Sequence, residues 1–208
     1  IGGPSGPYAF GARASARLLR DTLALARARG GSLLVSSSAR TPPEAIAAFA
    51  AQTDVPMQFY RFRTNDPDNP YLGFLAVADE IIVTADSISM LSEAYATGKP
   101  VHMFDLGAGS LSMRHDALVA VGESAQARTL ARKDTDRSDL SLASLAYRAL
   151  MRWGWKHLSR DISQMHLRLA RSGRMTWLGE AARPASDTPP PSDMTRAVAR
   201  IKALLGRD

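Results

Sequence analysis

Cysteine is absent from this chain of 208 residues, and histidine is scarce. Without cysteine, the protein has no disulfide framework and no metal site built on thiolates. The histidines lie far apart, without the close spacing of metal ligands, so we expect no zinc site and no bound metal. There are four of them: His102, His115, His157 and His166.

Long apolar runs are also missing. No stretch of the sequence approaches the roughly 18 consecutive apolar residues that a transmembrane helix needs. No signal-peptide pattern opens the chain, and we therefore expect a cytoplasmic protein. With 45% hydrophobic residues, the composition is nevertheless that of a globular protein with a true core.

The charge of the chain is basic but well mixed. The formal net charge is +6 and the pI is about 10.1. Charges of both signs are mixed along most of the sequence, which is typical of an ordinary solvated surface. We expect no nucleic-acid partner, and peripheral contact with an anionic membrane, the inner membrane of the cell, stays open as a weaker alternative.

An initiator methionine is missing as well, and the chain opens on Ile1 followed by Gly2-Gly3-Pro4-Ser5-Gly6. A single apolar residue before a glycine-rich turn has the pattern of a strand end whose body lies upstream. We therefore expect this chain to be the C-terminal part of a longer protein. Its missing N-terminal domain would then be a partner in any active site.

The sequence does contain a regular alternation of short apolar runs with helical patterns. Strands are predicted at residues 32–36, 57–62, 81–83 and 101–104, and helices at 11–29, 41–52, 69–78 and 86–98. This order predicts an α/β fold with a doubly wound, mostly parallel sheet, forming a Rossmann-like domain over residues 1–112. Thr41 and Glu44 have the spacing of a capping box at the start of the second helix.

The rest of the chain has a different composition. We expect a helical extension over residues 113–182, in which 122–140 are partly disordered and 141–170 mix Leu and Trp with Arg and Lys. The helix at 141–170 either covers the domain or docks on an anionic membrane. Residues 183–208 are predicted to form a Pro-rich linker and a last helix, 194–205, that packs back on the domain.

The most informative segment joins the last two predicted strands through a short helix. Asp86, Ser87 and Ser89 provide capping side chains at the start of this helix, and Gly98 before Pro100 ends it. The backbone N–H groups of a turn between strand and helix can hold an anion, typically a phosphate. The segment therefore predicts a phosphate-binding turn after the third strand.

Three loops are expected to meet at the carboxyl edge of the sheet, where open α/β sheets bind ligands: residues 2–6, 86–89 and 107–112. The first is neither a dinucleotide fingerprint nor a Walker loop, so it is either a ligand-binding turn or a plain tight turn between strand and helix. Glu93, in the helix that follows the second loop, either accepts hydrogen bonds from ribose hydroxyls or is a solvated residue that suits the helix dipole.

Glu93, Gly98 and Pro100, which follow a strand and a loop of small residues, resemble the nucleotide-binding half of GT-B glycosyltransferases. The finer pattern is similar to one family. Its motifs are Gly2-Gly3-Pro4-Ser5-Gly6, Asn69-Pro70-Tyr71, the run from Val83 to Met90, and Gly98-Lys99-Pro100-Val101. On these motifs, residues 1–105 resemble the bacterial members of the Elm mitochondrial-fission family.

The GT-B resemblance implies a nucleotide-diphosphate sugar as the ligand, with no other cofactor required. The residues implied to approach its diphosphate and sugar lie in the first two loops: Gly3, Ser5, Gly6, Asp86, Ser87 and Ser89. Glu93 would bind the ribose, and Arg61 and Arg63 would flank the base.

No residue stands out as a general base, so the catalytic residues are unknown. Asp86 and His115 are the local candidates, and in GT-B enzymes this group often comes from the N-terminal domain. The chain is thus expected to be the nucleotide-binding part of a glycosyltransferase-like protein. The alternative is a non-catalytic adaptor that keeps the fold and acts through protein contacts.

Overall fold

The computed structural model describes residues 1–6, 8–52, 54–108, 112–114, 162–173, 175–180 and 193–205. Six helices and five strands are formed in this part of the chain. The helices are α1 (Ala12–Arg29), α2 (Pro43–Ala50), α3 (Tyr71–Val77), α4 (Ile88–Ala96), α5 (Ser163–Arg171) and α6 (Asp193–Leu204). The strands are β1 (Leu33–Ser36), β2 (Met57–Tyr60), β3 (Ile81–Thr84), β4 (Val101–Phe104) and β5 (Met175–Trp177).

The strands form two parallel sheets, which confirms the predicted α/β class and is consistent with a Rossmann-like fold. β1 pairs with β2, from Leu33 opposite Met57 to Ser36 opposite Tyr60. In the second sheet, β4 lies between β3 and β5. The four predicted strands are present, and the second ends at Tyr60 rather than at residue 62. The sequence predicts no strand at β5, because three residues are too few to show a period.

Residues 1–3 connect the two sheets. The Ile1 nitrogen donates a hydrogen bond to the Ser36 carbonyl oxygen at 2.7 Å, and the Gly2 N–H donates to Thr84 Oγ1, also at 2.7 Å. Ser36 ends β1 and Thr84 ends β3, so the segment lies between the carboxyl ends of these strands. The order across the molecule is therefore β2, β1, residues 1–3, β3, β4 and β5. The chain order reverses beside residues 1–3, and open α/β sheets bind ligands at such a switch point.

Local sequence explains where α1 ends and where α4 begins. Gly30 ends α1 in a left-handed conformation, with φ of 61°, and Arg27 and Arg29 complement the helix dipole in its last turn. Ser87 caps α4 by accepting a hydrogen bond from the Met90 N–H at 3.5 Å. The predicted cap at the start of α4 is thus confirmed for Ser87.

The main core packs around β3 and β4. All four residues of β4 are buried, as expected for a central strand covered on both faces. Helices α1, α2 and α4 contribute large buried side chains, among them Leu18, Phe49 and Leu91. This packing holds the carboxyl ends of β3 and β4 in place, and with them the loops that follow.

The last helix differs from the others in its exposure. Every side chain described from Arg196 to Leu205 is exposed, including the apolar Val198, Ile201 and Leu204. Its packing against the domain stays a prediction. Within the ranges that the structure describes, no helix is both long and apolar enough to cross a membrane. Residues 122–140 and most of the predicted helix at 141–170 lie outside those ranges.

Candidate functional site

The first and second predicted loops come together at the switch point between the sheets. Gly2 and Gly3 are buried, and Asp86 follows β3 by two residues. The Gly3 N–H donates a hydrogen bond to Asp86 Oδ2 at 3.0 Å, across 83 residues of sequence. The convergence expected for these two loops at one edge of the sheet is therefore present.

The two glycines are required by their protein neighbours. A Cβ atom on Gly2 would lie 2.4 Å from the carboxylate oxygens of Asp86. A Cβ atom on Gly3 would lie 2.3 Å from the carbonyl oxygen of Arg40. The close approach that the sequence suggested for a diphosphate is thus made here by a carboxylate and by backbone, which accounts for both glycines without a ligand.

Asp86 is enclosed at the centre of this arrangement. Its side chain is 0% exposed, and its Oδ2 accepts hydrogen bonds from the Gly3 N–H and from Nη2 of Arg40, the latter at 2.9 Å. Its Oδ1 is buried and has no hydrogen-bond partner among the described residues. A carboxylate enclosed in this way is not accessible to an acceptor hydroxyl, so Asp86 in this conformation is not placed to act as a general base.

A loop that the sequence analysis did not include completes the site. Thr41 follows β1 by five residues, and its hydroxyl lies 2.7 Å from the Ile1 carbonyl oxygen and 2.9 Å from that of Gly2. Arg40 places Nη1 3.3 Å from the Pro4 carbonyl oxygen. The capping-box interpretation of Thr41 is wrong, because α2 begins after Pro42 without a side-chain cap and the Thr41 hydroxyl is used by the first loop. The sequence does contain a signal for this loop, because it follows a predicted parallel strand. Loops that follow parallel strands meet at one edge of the sheet.

Helix α4 begins two residues after Asp86. In any α-helix the first N–H groups lack intrahelical acceptors, and the Ser87 side chain satisfies only that of Met90. Ser89 is exposed, and the first turn contains no acidic residue. The partial positive charge of this helix end favours an anion. Ser87 and Ser89 thus lie at this helix start, and their contact with a phosphate stays a prediction.

Ser5 and Gly6, further along the first loop, form a tight turn with Tyr8. The N–H and C=O groups of Ser5 exchange hydrogen bonds with Tyr8, at 3.1 and 3.0 Å, which closes the turn. Gly6 lies inside this turn with φ of 55°, a conformation that favours glycine. Ser5 and Gly6 therefore form a closed turn, and the Ser5 N–H is not available to a diphosphate.

Glu93 is exposed and lies on α4, about 7.5 Å along the helix axis from Ile88 at 1.5 Å per residue. The Tyr71 hydroxyl donates a hydrogen bond to Glu93 Oε2 at 2.5 Å. Burial raises the pKa of Tyr71, and the hydrogen bond and negative charge of Glu93 raise it further, so this hydroxyl keeps its proton. A neutral Tyr71 thus holds the Glu93 carboxylate on the exposed side of α4.

Arg61 and Arg63 follow β2, and β1 separates them from the switch point. Arg63 Nε lies 3.0 Å from Asp66 Oδ2, and its guanidinium lies over the Tyr60 ring. The Tyr60 hydroxyl donates to the same Asp66 oxygen at 2.9 Å. Arg63 is therefore engaged in organising its own loop, while Arg61 is exposed.

The third predicted loop is built around Asp105, which the sequence analysis did not single out. Its carboxylate accepts hydrogen bonds from the N–H groups of Gly107 and Met113, at 2.8 and 3.0 Å, and from the Ser112 hydroxyl at 2.6 Å. Arg17 on α1 donates to the carbonyl oxygens of Gly107 and Asp105, at 2.8 and 2.6 Å. This loop is anchored to α1, although residues 109–111 lie outside the described ranges.

His115, the second candidate base, also lies outside the described residues. Within those residues, no cluster of three or more His, Asp or Glu side chains is arranged to hold a metal ion. The side chains described at the switch point therefore provide cationic and hydrogen-bonding groups, from Arg40, Thr41, Ser87 and Ser89, around one buried carboxylate.

Comparison with known proteins gives the family of the chain. A family model described as "Mitochondrial fission ELM1" matches residues 1–150. The Mitochondrial fission protein ELM1 of Arabidopsis thaliana is 37% identical over 103 residues, which are 50% of this chain and 24% of that protein. The uncharacterized protein RP120 of Rickettsia prowazekii is 42% identical over 71 residues, 34% of this chain and 20% of that protein.

The chain thus spans a quarter or less of the length of these two relatives. No solved structure matches it. The family model covers well over half of the chain and includes the loops of the switch point, the same part of the sequence that carries the resemblance noted above. The chain belongs to the mitochondrial fission ELM1 family.

Proposed function

We propose that this chain binds a nucleotide-diphosphate sugar at the switch point, as the nucleotide-binding part of a glycosyltransferase-like protein. The observation that carries the proposal is the meeting of residues 1–3, Arg40–Thr41 and Asp86–Ser89 at the carboxyl ends of β1 and β3. Ligands of open α/β sheets bind outside the carboxyl ends of strands, where the strand order reverses.

The chemistry of α4 supports a diphosphate at this place. The N-terminal N–H groups of this helix and the exposed Ser89 lie just after Asp86, and the first turn contains no acidic residue. Glu93 lies further along the same helix and is exposed. A ligand with its phosphates at the helix start and its ribose about 7.5 Å away along the axis would meet both groups.

Transfer of the sugar would need an acceptor and a general base, and the described residues provide no accessible base at this point. We therefore place the reaction at the interface with a further domain of the whole protein. The chain's own part would be to bind and orient the nucleotide.

A second candidate function rests on the state of Asp86. Its carboxylate already takes the Gly3 N–H and pairs with Arg40, so the first loop is complete without any ligand. A non-catalytic adaptor that keeps the fold would have this property. The two candidates differ in one measurable quantity, the affinity for nucleotides.

The test is a calorimetric titration of the whole natural protein with nucleoside diphosphates and with their sugar derivatives. Glu93→Ala should weaken binding by about 1–3 kcal/mol, because it removes hydrogen bonds made to a charged group. Asp54→Ala is the matched control, since Asp54 is an exposed carboxylate paired with Arg27 before β2. Asp54→Ala should leave the affinity unchanged.

The Tyr71→Phe variant shows whether Glu93 contacts the ligand or acts only through its hydrogen bond to Tyr71. If Glu93 acts only through its hydrogen bond to Tyr71, both variants will have the same effect on affinity. If Glu93 contacts the ligand, Glu93→Ala will have the larger effect. Failure of the whole protein to bind any nucleoside diphosphate or nucleotide sugar would favour the adaptor.

A further inference from the structure

We propose that Arg40 binds the diphosphate, and that Asp86 is an internal carboxylate that holds Arg40 while the site is empty. This inference rests on the proposed function and assigns the cation of the same site. It differs from the pattern drawn from the sequence, in which the glycine loop approaches the diphosphate and Arg40 has no role.

The two partners differ in exposure. The side chain of Asp86 is 0% exposed, whereas that of Arg40 is 52% exposed. The Arg40 guanidinium thus reaches from a buried carboxylate to the solvent. A pair that served only to fill the interior would bury both partners.

Arg40 keeps several hydrogen-bond donors beyond those that its protein contacts use. A guanidinium has five N–H donors in a fixed planar arrangement. Two of its nitrogens contact acceptors in the described part of the chain, Asp86 Oδ2 at 2.9 Å and the Pro4 carbonyl oxygen at 3.3 Å. The remaining donors of this exposed group can bind phosphate oxygens, for which the geometry of arginine is well suited.

The negative charge of Asp86 also bears on how a diphosphate can bind. The Asp86 carboxylate uses the Gly3 N–H, so a phosphate cannot take that donor without displacing a buried anion. Arg40 is the one basic side chain that the described ranges show in contact with Asp86. A diphosphate held at the start of α4, directly after Asp86, therefore needs Arg40 to offset the carboxylate as well as its own charge.

A purely structural role for the pair makes a different prediction. In that case Arg40 and Asp86 tie the first loop to β3, and replacing either one would lower stability and disturb the site in the same direction. If Asp86 instead competes with the ligand for Arg40, replacing the two residues will change affinity in opposite directions.

The experiment is calorimetric titration of the whole natural protein with inorganic pyrophosphate and with adenosine, guanosine and uridine diphosphate. Arg40→Gln should weaken binding of each nucleotide about 10- to 100-fold, because a charge-assisted hydrogen bond to phosphate is lost. Arg40→Lys keeps the charge without the planar fork and should fall between Arg40→Gln and the unaltered protein. Asp86→Asn should bind about 2- to 5-fold more tightly, since Arg40 loses its internal anion.

Arg27→Gln is the matched control. Arg27 is an exposed arginine that pairs with Asp54 at 2.6 Å and lies in the last turn of α1, before β1 begins. Thermal unfolding of each variant shows whether it is folded, and the Arg40→Lys titration carries the test if Arg40→Gln does not fold.

The outcomes separate this inference from the proposed function. Tight binding by the unaltered protein, with Arg40→Gln and Arg40→Lys indistinguishable from Arg27→Gln, overturns the role of Arg40 and leaves the proposed function standing. Loss of affinity in Asp86→Asn equal to that in Arg40→Gln overturns the competition and supports a structural pair. Absence of binding by the unaltered protein overturns the proposed function, and this inference with it.

Discussion

Two aspartates follow neighbouring strands of one sheet, and the structure uses them differently. Asp105 comes directly after β4, and its carboxylate accepts hydrogen bonds from groups no more than nine residues away. Asp86 follows β3, and its carboxylate binds Gly3 and Arg40, which are 83 and 46 residues away. The Asp105 carboxylate builds its own loop, whereas that of Asp86 holds three separate segments at one point.

The hydrogen bonding of the two carboxylates is also unequal. Both oxygens of Asp105 accept hydrogen bonds. Oδ1 of Asp86 is buried without a partner in the described part of the molecule. A buried oxygen without a partner costs free energy, and such groups in native proteins call for an explanation. The unpartnered oxygen thus distinguishes Asp86 from Asp105, whose carboxylate builds its own loop.

Filling the space beside Asp86 and Arg40 should have the largest effect on stability. In Gly3→Ala the new Cβ would lie 2.3 Å from the Arg40 carbonyl oxygen, which is backbone and cannot move aside cheaply. We expect a loss of about 3 kcal/mol in the free energy of unfolding, at the upper end of overpacking costs. Urea unfolding measures it.

Gly73→Ala is the control for this variant. No atom lies within 4 Å of a Cβ at Gly73, which is inside α3. Alanine should therefore stabilise the protein there, by up to about 1 kcal/mol. Equal stability of the two alanine variants would show that residues 1–3 are not packed against Arg40. Asp86 would then not hold distant segments together as described above.

Removing each carboxylate in turn tests the difference between Asp86 and Asp105. Asp105→Ala leaves backbone N–H groups of its loop without an acceptor and should cost about 2 kcal/mol. Asp86→Ala should cost less, about 1 kcal/mol, because one of its oxygens has no partner and Arg40 stays largely in solvent, so the Gly3 N–H is the buried donor that loses its acceptor. Both values come from urea unfolding. A larger cost for Asp86→Ala would show that its contacts across the sheets outweigh the hydrogen bonds of the Asp105 loop.

The sequence predicts the elements near Asp86 well because their signals are local. The β-branched run Ile81–Val83, the Ser87 cap and the Gly98 stop each act within a few residues, so the strand and helix lie close to where they were expected. The family follows from the same segment. By contrast, β5 has three residues and no period, and only its pairing with β4 makes it a strand.

Only the local features of the candidate site can be predicted from the sequence. Ser87 and Ser89 are placed by the helix that they begin, which is a local property. Arg40 reaches Asp86 across 46 residues, and no spacing rule in the sequence announces that contact. Asp105 and Thr41 likewise look like ordinary loop and cap residues until the loops that they bind are seen to be adjacent.

A third carboxylate, Glu80, lies just before β3. Its replacement is expected to change stability the least. Its Oε2 lies 2.8 Å from Nε2 of the buried His102, and its Oε1 lies 2.5 Å from Nε of Arg29. Desolvation raises the pKa of Glu80, but the hydrogen bonds and charges of His102 and Arg29 outweigh it and hold the pKa below the ordinary value of 4.5. Unlike Asp86, this carboxylate has a partner on each oxygen.

The sign of the pH effect follows from that lowered pKa. A depressed pKa in the folded state stabilises the protein above the pKa of the unfolded chain, and this contribution disappears as the pH falls through the folded value. The stability difference between the unaltered protein and Glu80→Gln should therefore be present at pH 7 and shrink below the ordinary value of 4.5. We expect a difference of up to about 1 kcal/mol, since Glu80 is partly exposed.

Urea unfolding between pH 7 and pH 3 measures this difference, with Asp54→Asn as the control. Asp54 and Arg27 form an exposed pair, which should contribute less than about 0.5 kcal/mol at any pH. A pH-independent difference for Glu80→Gln would show that its hydrogen bonds act through packing and not through charge. Glu80 would then differ from Asp86 in kind, because the role proposed for Asp86 depends on its negative charge.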